Sequence, residues 1–353
     1  MRCITNCRTA PHSTAHADFH IPLASARSLA TALTLLLLSA FMPAAAQEPE
    51  VHITPRVDSS AKPSDVAGDP ALKTHTKPLR SDVEMVLVPV TVTDHMDRLV
   101  TGLAKENFQV FQDKQQQEVR HLSSEDAPIS AGILFDMSGS MKDKFDKAKE
   151  AVVQFMQIAN PDDEFFLIGF SDKPRLLSDF VESPSEIQSK LVFTAPKGMT
   201  ALLDATYMGL NQMRHARHRR KALLIISDGG DNHSRYSESE IKSAVQEADV
   251  QIYAIGIFDQ TPRTWEERFG PVLLSDVTDV TGGRSFVLSN LNDLPDVAAK
   301  IGAELRNQYV IAYVPQHKPK DGKWHKIRVK LLPPKGLPSL SIHAKRGYYA
   351  AQE

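Results

Sequence analysis

Residues 129–141 read ISAGILFDMSGSM. A short apolar run, Ala131 to Phe135, is cut off by Asp136, and small polar residues follow before a second apolar pattern begins. A run of this length bounded by turn residues suits a buried strand better than a helix. The second pattern, Phe145, Ala148, Val152, Phe155, Met156 and Ala159, steps by three and four, as one stripe of a 3.6-residue helix requires. Strand, polar turn and amphipathic helix make one βα unit.

The unit recurs toward the C-terminus. Phe165 to Phe170 reads as a strand, Thr200 to Met213 as a helix, and Ala222 to Ser227 as a buried strand. Ser237 to Ala248 reads as a helix opened by Ser237 with Glu240 three residues on, the spacing of a capping box. Val250 to Phe258 is a further strand, followed by a longer loop carrying Trp265, Phe269 and Pro271. Arg284 to Leu288 is the last strand of the series, and Leu294, Val297, Ala298, Ile301 and Leu305 mark a last helix with Pro295 in its first turn. Apolar strands alternating with amphipathic helices predict an α/β fold, a doubly wound and mostly parallel sheet covered on both faces. Ligands of such sheets sit at the carboxyl ends of the strands.

Both flanks read as β. Met85 to Asp94 alternates, with Val86, Val88, Val90 and Val92 on one side; Asn107 to Phe111 and Glu118 to Leu122 follow, separated by the polar Gln112 to Gln117. After the last helix come Tyr309 to Val314, a polar turn at Lys318 to Lys323, Ile327 to Leu331 and Leu340 to Ala344. Neither set has enough strands for an independent sheet, so residues 83–125 and 308–353 are expected to pair into one discontinuous β-sandwich-like unit beside an α/β domain at 126–307.

The N-terminal end reads differently. Arg27, an apolar run from Leu29 to Phe41 and the small residues Ala44, Ala45 and Ala46 resemble a signal peptide with cleavage after Ala46. An uncleaved anchor is the alternative, although the run is shorter than the ~20 residues of a comfortable span. The polar stretch before Arg27 is long for such a segment, which leaves a start downstream of Met1 open. Residues 47–82 are polar and proline-rich, as a solvated linker is. The chain is therefore expected to be exported, periplasmic or secreted. Cys3 and Cys7 are its two cysteines. A chain cut at Ala46 has none, which excludes disulfides, thiol catalysis and cysteine-bound zinc. A net charge of −2 over 353 residues supplies no field for nucleic acid, and the basic run Arg214 to Lys221 reads as a solvated helix end.

The chemistry converges on the opening stretch. Asp136-Met137-Ser138-Gly139-Ser140 stands where a strand ends, and Gly198 to Asp204 and Ile225 to Gly229 stand at two later strand or helix ends. The D-x-S-x-S pattern resembles the first loop of the metal ion-dependent adhesion site of von Willebrand factor type A domains; the other two segments resemble its second and third loops. The resemblance spans Ile129 to Arg306, and the β flanks resemble those of bacterial secreted proteins related to this domain. It implies a metal site of Asp136, Ser138, Ser140, Thr200 and Asp228.

The residue types carry the same reading. A hard cation such as Mg2+ takes about six oxygen ligands. Ser138, Ser140 and Thr200 offer neutral hydroxyls, while Asp136 and Asp228 coordinate directly or hold metal-bound water. Mg2+ is the expected ion, with Mn2+ or Ca2+ as alternatives. Few anionic ligands leave the ion electron-poor, so an open position favours a partner's carboxylate, and a helix starting after Ser140 would add its positive end. The competing reading of Asp136 and Ser138 is plain helix capping. Asp204 is either a group that orients a ligand or an exposed acid in a first helical turn; Asp231 and His233 read as loop residues, and the Trp265 region as a contact surface or a packing loop.

A non-catalytic binding protein whose partner presents an Asp or Glu carboxylate is therefore expected. An assembly subunit of an envelope complex and a metal-dependent hydrolase are the alternatives; the latter lacks G-x-S-x-G, H-E-x-x-H and clustered histidines. The sequence leaves the oligomeric state open.

Overall fold

The computed structural model describes residues 85–258, 265–316, 321–334, 336 and 339–350. The signal-like segment and the linker of the sequence analysis lie outside the described residues.

A central sheet is built from β5 (Ile129–Asp136), β6 (Glu164–Phe170), β7 (Pro174–Val181), β8 (Arg220–Ser227), β9 (Gln251–Ile257) and β10 (Ser285–Leu288), in the order β10-β9-β8-β5-β6-β7. All neighbours run parallel except β7, which pairs antiparallel with β6 at the edge. The helices are α1 (Phe145–Gln157), α2 (Pro184–Val192), α3 (Leu202–Gln212), α4 (Glu238–Glu247), α5 (Trp265–Thr278) and α6 (Leu294–Arg306).

Every residue of β5, β6 and β9 is buried, and successive side chains enter opposite cores. Ile133 and Phe135 of β5 pack with Phe145 and Val152 of α1, Leu191 of α2 and Ile301 of α6. Leu134, between them, packs with Leu202 of α3, Ile241 of α4 and Leu274 of α5. A strand with period 2 that is apolar on both faces must be covered twice, which is why it reads as a continuous apolar run. The fold is therefore the expected doubly wound α/β arrangement. Its strand order reverses between β5 and β8, so the helices that follow them leave on opposite faces and a crevice opens at their carboxyl ends.

The flanks interleave. One sheet has the order β13-β1-β11-β4, from β1 (Val86–Asp94), β4 (Val119–Ser123), β11 (Tyr309–Tyr313) and β13 (Leu340–Ala344). The other has the order β14-β12-β2-β3, from β2 (Phe108–Gln112), β3 (Gln115–Gln117), β12 (Trp324–Leu331) and β14 (Gly347–Tyr349). Each sheet contains strands from both ends of the chain, and Val88, Val90, Phe108, Val110, Tyr309, Tyr313 and Ile327 share one core.

Several elements depart from expectation. The segment expected as a loop around Trp265 is helical from Trp265 onward. β3 sits in a stretch read as a polar separator; Asp113 and Lys114 both take positive φ, 46° and 76°, the geometry of a tight two-residue hairpin. β7, α2 and β14 were not anticipated. Most of β7 is not buried, so it has no apolar run, and α2 buries only Ile187 and Leu191.

A polar seam joins the sandwich to the α/β core. α6 ends at Arg306 and β11 begins at Tyr309. Between them Gln308 donates from Nε2 to Thr91 Oγ1 of β1 and to the Tyr253 hydroxyl of β9, both at 3.1 Å. Asp97, in the turn after β1, accepts from Arg284 at 2.6 Å and from Lys300 of α6. Burial alone would raise the Asp97 pKa, but these two cations hold it below the usual carboxylate range. Arg284 also binds Glu304 of α6 at 2.5 Å. Glu304 is fully buried, and burial pushes its pKa up to about 7 against the pull of Arg284.

Asp97→Ala is expected to destabilise the protein by about 1–2 kcal/mol, less than a fully buried pair because Asp97 is 40% exposed. Chemical denaturation measures this, and an unchanged midpoint contradicts the seam's assigned role.

Candidate metal centre

Asp136 is the last residue of β5, and its carboxylate is completely buried at the switch point. Oδ1 accepts from the Ser138 backbone N–H at 2.8 Å, and Oδ2 accepts from the Ser227 hydroxyl at 2.6 Å. Ser227 Oγ in turn accepts from the Gly229 N–H at 3.0 Å. Ser138 and Ser140 turn their hydroxyls toward each other, 3.1 Å apart. The helical continuation differs from expectation: a single 3-10 turn, Gly139–Met141, comes first, and α1 opens only at Phe145. Ser138 stands at the N-cap of that turn without a side-chain capping bond, so capping does not account for its hydroxyl.

The second loop, residues 197–201, is laced to the first. The Gly139 N–H donates to Gly198 O at 3.0 Å, and the Lys197 N–H to Met137 O at 2.8 Å. Gly198 has φ of 86°, and a Cβ there would stand 2.7 Å from Asp172 Oδ1, the atom that accepts the Met199 N–H at 2.8 Å. Both the left-handed backbone and the crowding call for glycine. Thr200, 3% exposed, is tied to the third loop: its N–H donates to Asn232 Oδ1 at 2.9 Å, and its carbonyl accepts from Asn232 and His233 N–H.

The third loop follows β8. Asp228 is 4% exposed, and its Oδ2 lies 3.6 Å from the Lys144 ammonium, which also donates to Ile257 O at 3.1 Å. Asp231 accepts from the Leu203 N–H and the Ser234 hydroxyl, at 2.8 and 2.6 Å, and so fastens the start of α3. Asp204, read as either an orienting group or an exposed acid, is 3% exposed and takes the Arg235 and Tyr236 N–H groups and the Arg235 guanidinium. It braces the third loop. His233 enters through its backbone.

The loops thus close a ring, joined first to second at Gly139–Gly198, second to third at Thr200–Asn232, and third to first at Ser227–Asp136 and Lys144–Asp228. Inside it Asp136 feels two raising influences. Burial is the larger and the charge of Asp228 the second; together they push its pKa up to about 7 despite the Ser227 and Ser138 hydrogen bonds. Two carboxylates held close in a buried place call for positive charge. The neighbouring hydroxyls are hard neutral oxygens, so this donor set fits a hard divalent cation rather than a soft one. Among the described residues no group of three or more His, Cys, Asp or Glu could hold a metal ion, and an oxygen site of mixed carboxylate and hydroxyl character falls outside that class.

Sequence reading passed over Ser227, Asn232, Asp172 and Lys144. Ser227 directly precedes Asp228 and could have been noticed; the others reach the ring only through folding. The expectation of a helix end for the basic run is met in part: Met213–His215 forms a terminal turn, and Arg217 and Lys221 bind Glu182 and Met213 O. α5 presents Trp265 and Phe269, 68% and 43% exposed with ring centroids 4.3 Å apart. Its Gly270 backs onto the third loop, where a Cβ would lie 2.6 Å from Gly229 O.

Residues 133–230 match the family model of the von Willebrand factor type A domain, a stretch that contains all of Asp136, Ser138, Ser140, Thr200 and Asp228. No curated protein matches the chain. Among solved structures, a von Willebrand factor type A protein from Catenulispora acidiphila is 12% identical, with 78% of this chain and 76% of that one covered and a TM-score of 0.46. The conserved protein BatB from Bacteroides thetaiotaomicron is 15% identical over 50% of this chain and 98% of its own, with a TM-score of 0.42. The vWF domain of the type V pili tip protein Mfa5 from Porphyromonas gingivalis is 12% identical over 51% and 97%, with a TM-score of 0.40.

The Asp136 shift fixes a pH dependence. The unfolded chain releases this proton near 3.8 and the folded one near 7, so between those values the folded state binds more protons. Stability then falls as pH rises through that window. In chelator, the melting temperature is expected to decline from about pH 4 to 7, and Asp136→Asn, which cannot ionise, to flatten the decline, leaving the Glu304 contribution. Equal slopes in both proteins contradict the burial cost assigned to Asp136.

Proposed function

We propose that the chain is an exported, non-catalytic binding protein in which Asp136, Ser138, Ser140, Thr200 and Asp228 hold one divalent cation, Mg2+ first, with Mn2+ or Ca2+ as alternatives. The cation is the contact point for an Asp or Glu carboxylate of a protein partner. One observation carries the reading: three loops, hydrogen-bonded into a ring at the sheet's switch point, bury two carboxylates beside a pair of serine hydroxyls.

The chemistry supports binding. The ring brings together oxygen donors and an ammonium, and His233 enters it through its backbone N–H. An electron-poor cation held by neutral hydroxyls favours an added anion. The exposed Trp265–Phe269 pair on α5, which backs onto the third loop, supplies an apolar flank for the same partner. Export follows from the signal-like segment at residues 1–46.

Saturating Mg2+ or Mn2+ is expected to raise the melting temperature over chelator by several degrees, since a ligand at about 100 times its Kd adds about 2.7 kcal/mol. Asp228→Ala and Ser138→Ala should abolish the shift while remaining folded by circular dichroism. A wild-type protein whose melting temperature ignores both ions contradicts the metal site.

A further inference from the structure

β5 and β8 end at the ring of loops and begin beside a cavity. Ile129 and Ala222, near the starts of those strands, line a narrow space of about 90 Å3 together with Leu87 and Pro89 of β1 and Val310 of β11. The eight residues of β5 separate it from Asp136 by about 23 Å. Alternation explains the apolar wall: Val86, Val88 and Val90 turn into the sandwich core, so Leu87 and Pro89 turn outward, and Leu87 stays 40% exposed. The polar side chains of the narrow space have partners already. Arg220 donates to the carbonyls of Ala127 and Leu305, Gln251 to Gly282 O, and Gln308 to Thr91 and Tyr253. What it offers a ligand is mainly apolar surface. It shares Leu87, Arg219 and Lys221 with a wider cavity of about 480 Å3, where exposed Met85 and Tyr349 add apolar surface and five charged side chains gather. Lys345 and Asp249 pair at 2.6 Å and cancel. Lys221 donates to Met213 O at 2.9 Å, which solvates its charge without cancelling it, and Glu247 is the second acid. Arg219 has no hydrogen-bond or ion-pair partner among the described residues.

We propose that these joined cavities bind an aliphatic monocarboxylate of medium chain length, with its carboxylate on the Arg219 guanidinium beside Lys221 and its chain running along Leu87 into the narrow space. The wider cavity has the size of a small-ligand site, ~300–1,000 Å3 being usual. A guanidinium takes a carboxylate through two parallel hydrogen bonds, and Arg219 has its donors available for them. The narrow space selects a chain over a ring: an apolar cavity of about 150 Å3 takes a benzene, and this one is smaller. Each methylene that enters it leaves water for apolar walls and tightens binding.

Isothermal titration calorimetry in chelator, where no metal can hold a carboxylate, tests this with butanoate, hexanoate and octanoate against octyltrimethylammonium. Affinity is expected to rise with chain length, by up to about fourfold per methylene, and the cationic compound not to bind. Arg219→Gln should weaken octanoate about tenfold, the loss of a charge-assisted contact. Leu87→Asp, at an exposed wall position, should abolish binding while remaining folded by circular dichroism. Asp136→Asn should match wild type, because the ring lies at the other end of the strands. No octanoate binding by folded wild type, as when another segment of the chain or a second copy fills the cavity, overturns the inference. So does unchanged octanoate binding by Arg219→Gln, its loss in Asp136→Asn, or equal binding of octyltrimethylammonium by wild type.

Discussion

The structure around the site is organised by the cost of burying the Asp136 carboxylate at the end of β5. A charge in that position is tolerated only where hydrogen bonds and opposite charge meet it. The Ser138 N–H and the Ser227 hydroxyl supply the former, and they belong to different loops. Satisfying this one side chain therefore draws the ends of β5 and β8 together, and the second loop is drawn in through Gly139 and Gly198. The charge itself is still costly, because burial opposes it and the charge of Asp228 adds to it. At Asp228 the fold sets the ammonium of Lys144 against that charge.

Much of this was legible in the residues. The parallel sheet could be read because strands buried on both faces are apolar in long runs, as Ala131 to Phe135 and Ala222 to Ile226 are. The helices α1, α4 and α6 declared themselves by periodicity, and α4 also by its Ser237–Glu240 capping box, which forms as read. Elements whose stability comes from neighbours rather than from their own pattern were missed: β7 lies at an edge with little burial, and β3 is held by a tight turn made of Asp113 and Lys114, residues without the usual glycine signal. α5 was hidden by Pro271 and by the exposure of Trp265 and Phe269, which blur its buried stripe of Leu273, Leu274 and Val277.

The site divides in the same way. Residue types and order singled out five candidate oxygen donors, but not how they are held. Asp204 could be read as a surface acid because nothing local shows that residues 235–236 fold back over it; in the structure it is a buried brace. Lys144 lies in the sequence among other lysines of a charged helix start, and only the approach of β8 and β9 distinguishes it. The interleaved sandwich, with its Gln308 and Asp97 contacts, likewise ties α6 to strands contributed by the other end of the chain. A movement of α6 would have to break or carry those contacts.

The central claim is that the ring encloses one divalent cation. Crystals grown with Mn2+ and measured near the manganese absorption edge test it most directly. The account predicts one strong anomalous peak among the side-chain oxygens of Asp136, Ser138, Ser140, Thr200 and Asp228. Fully formed loops with no peak at that point, while Mn2+ is found elsewhere on the protein, would contradict it.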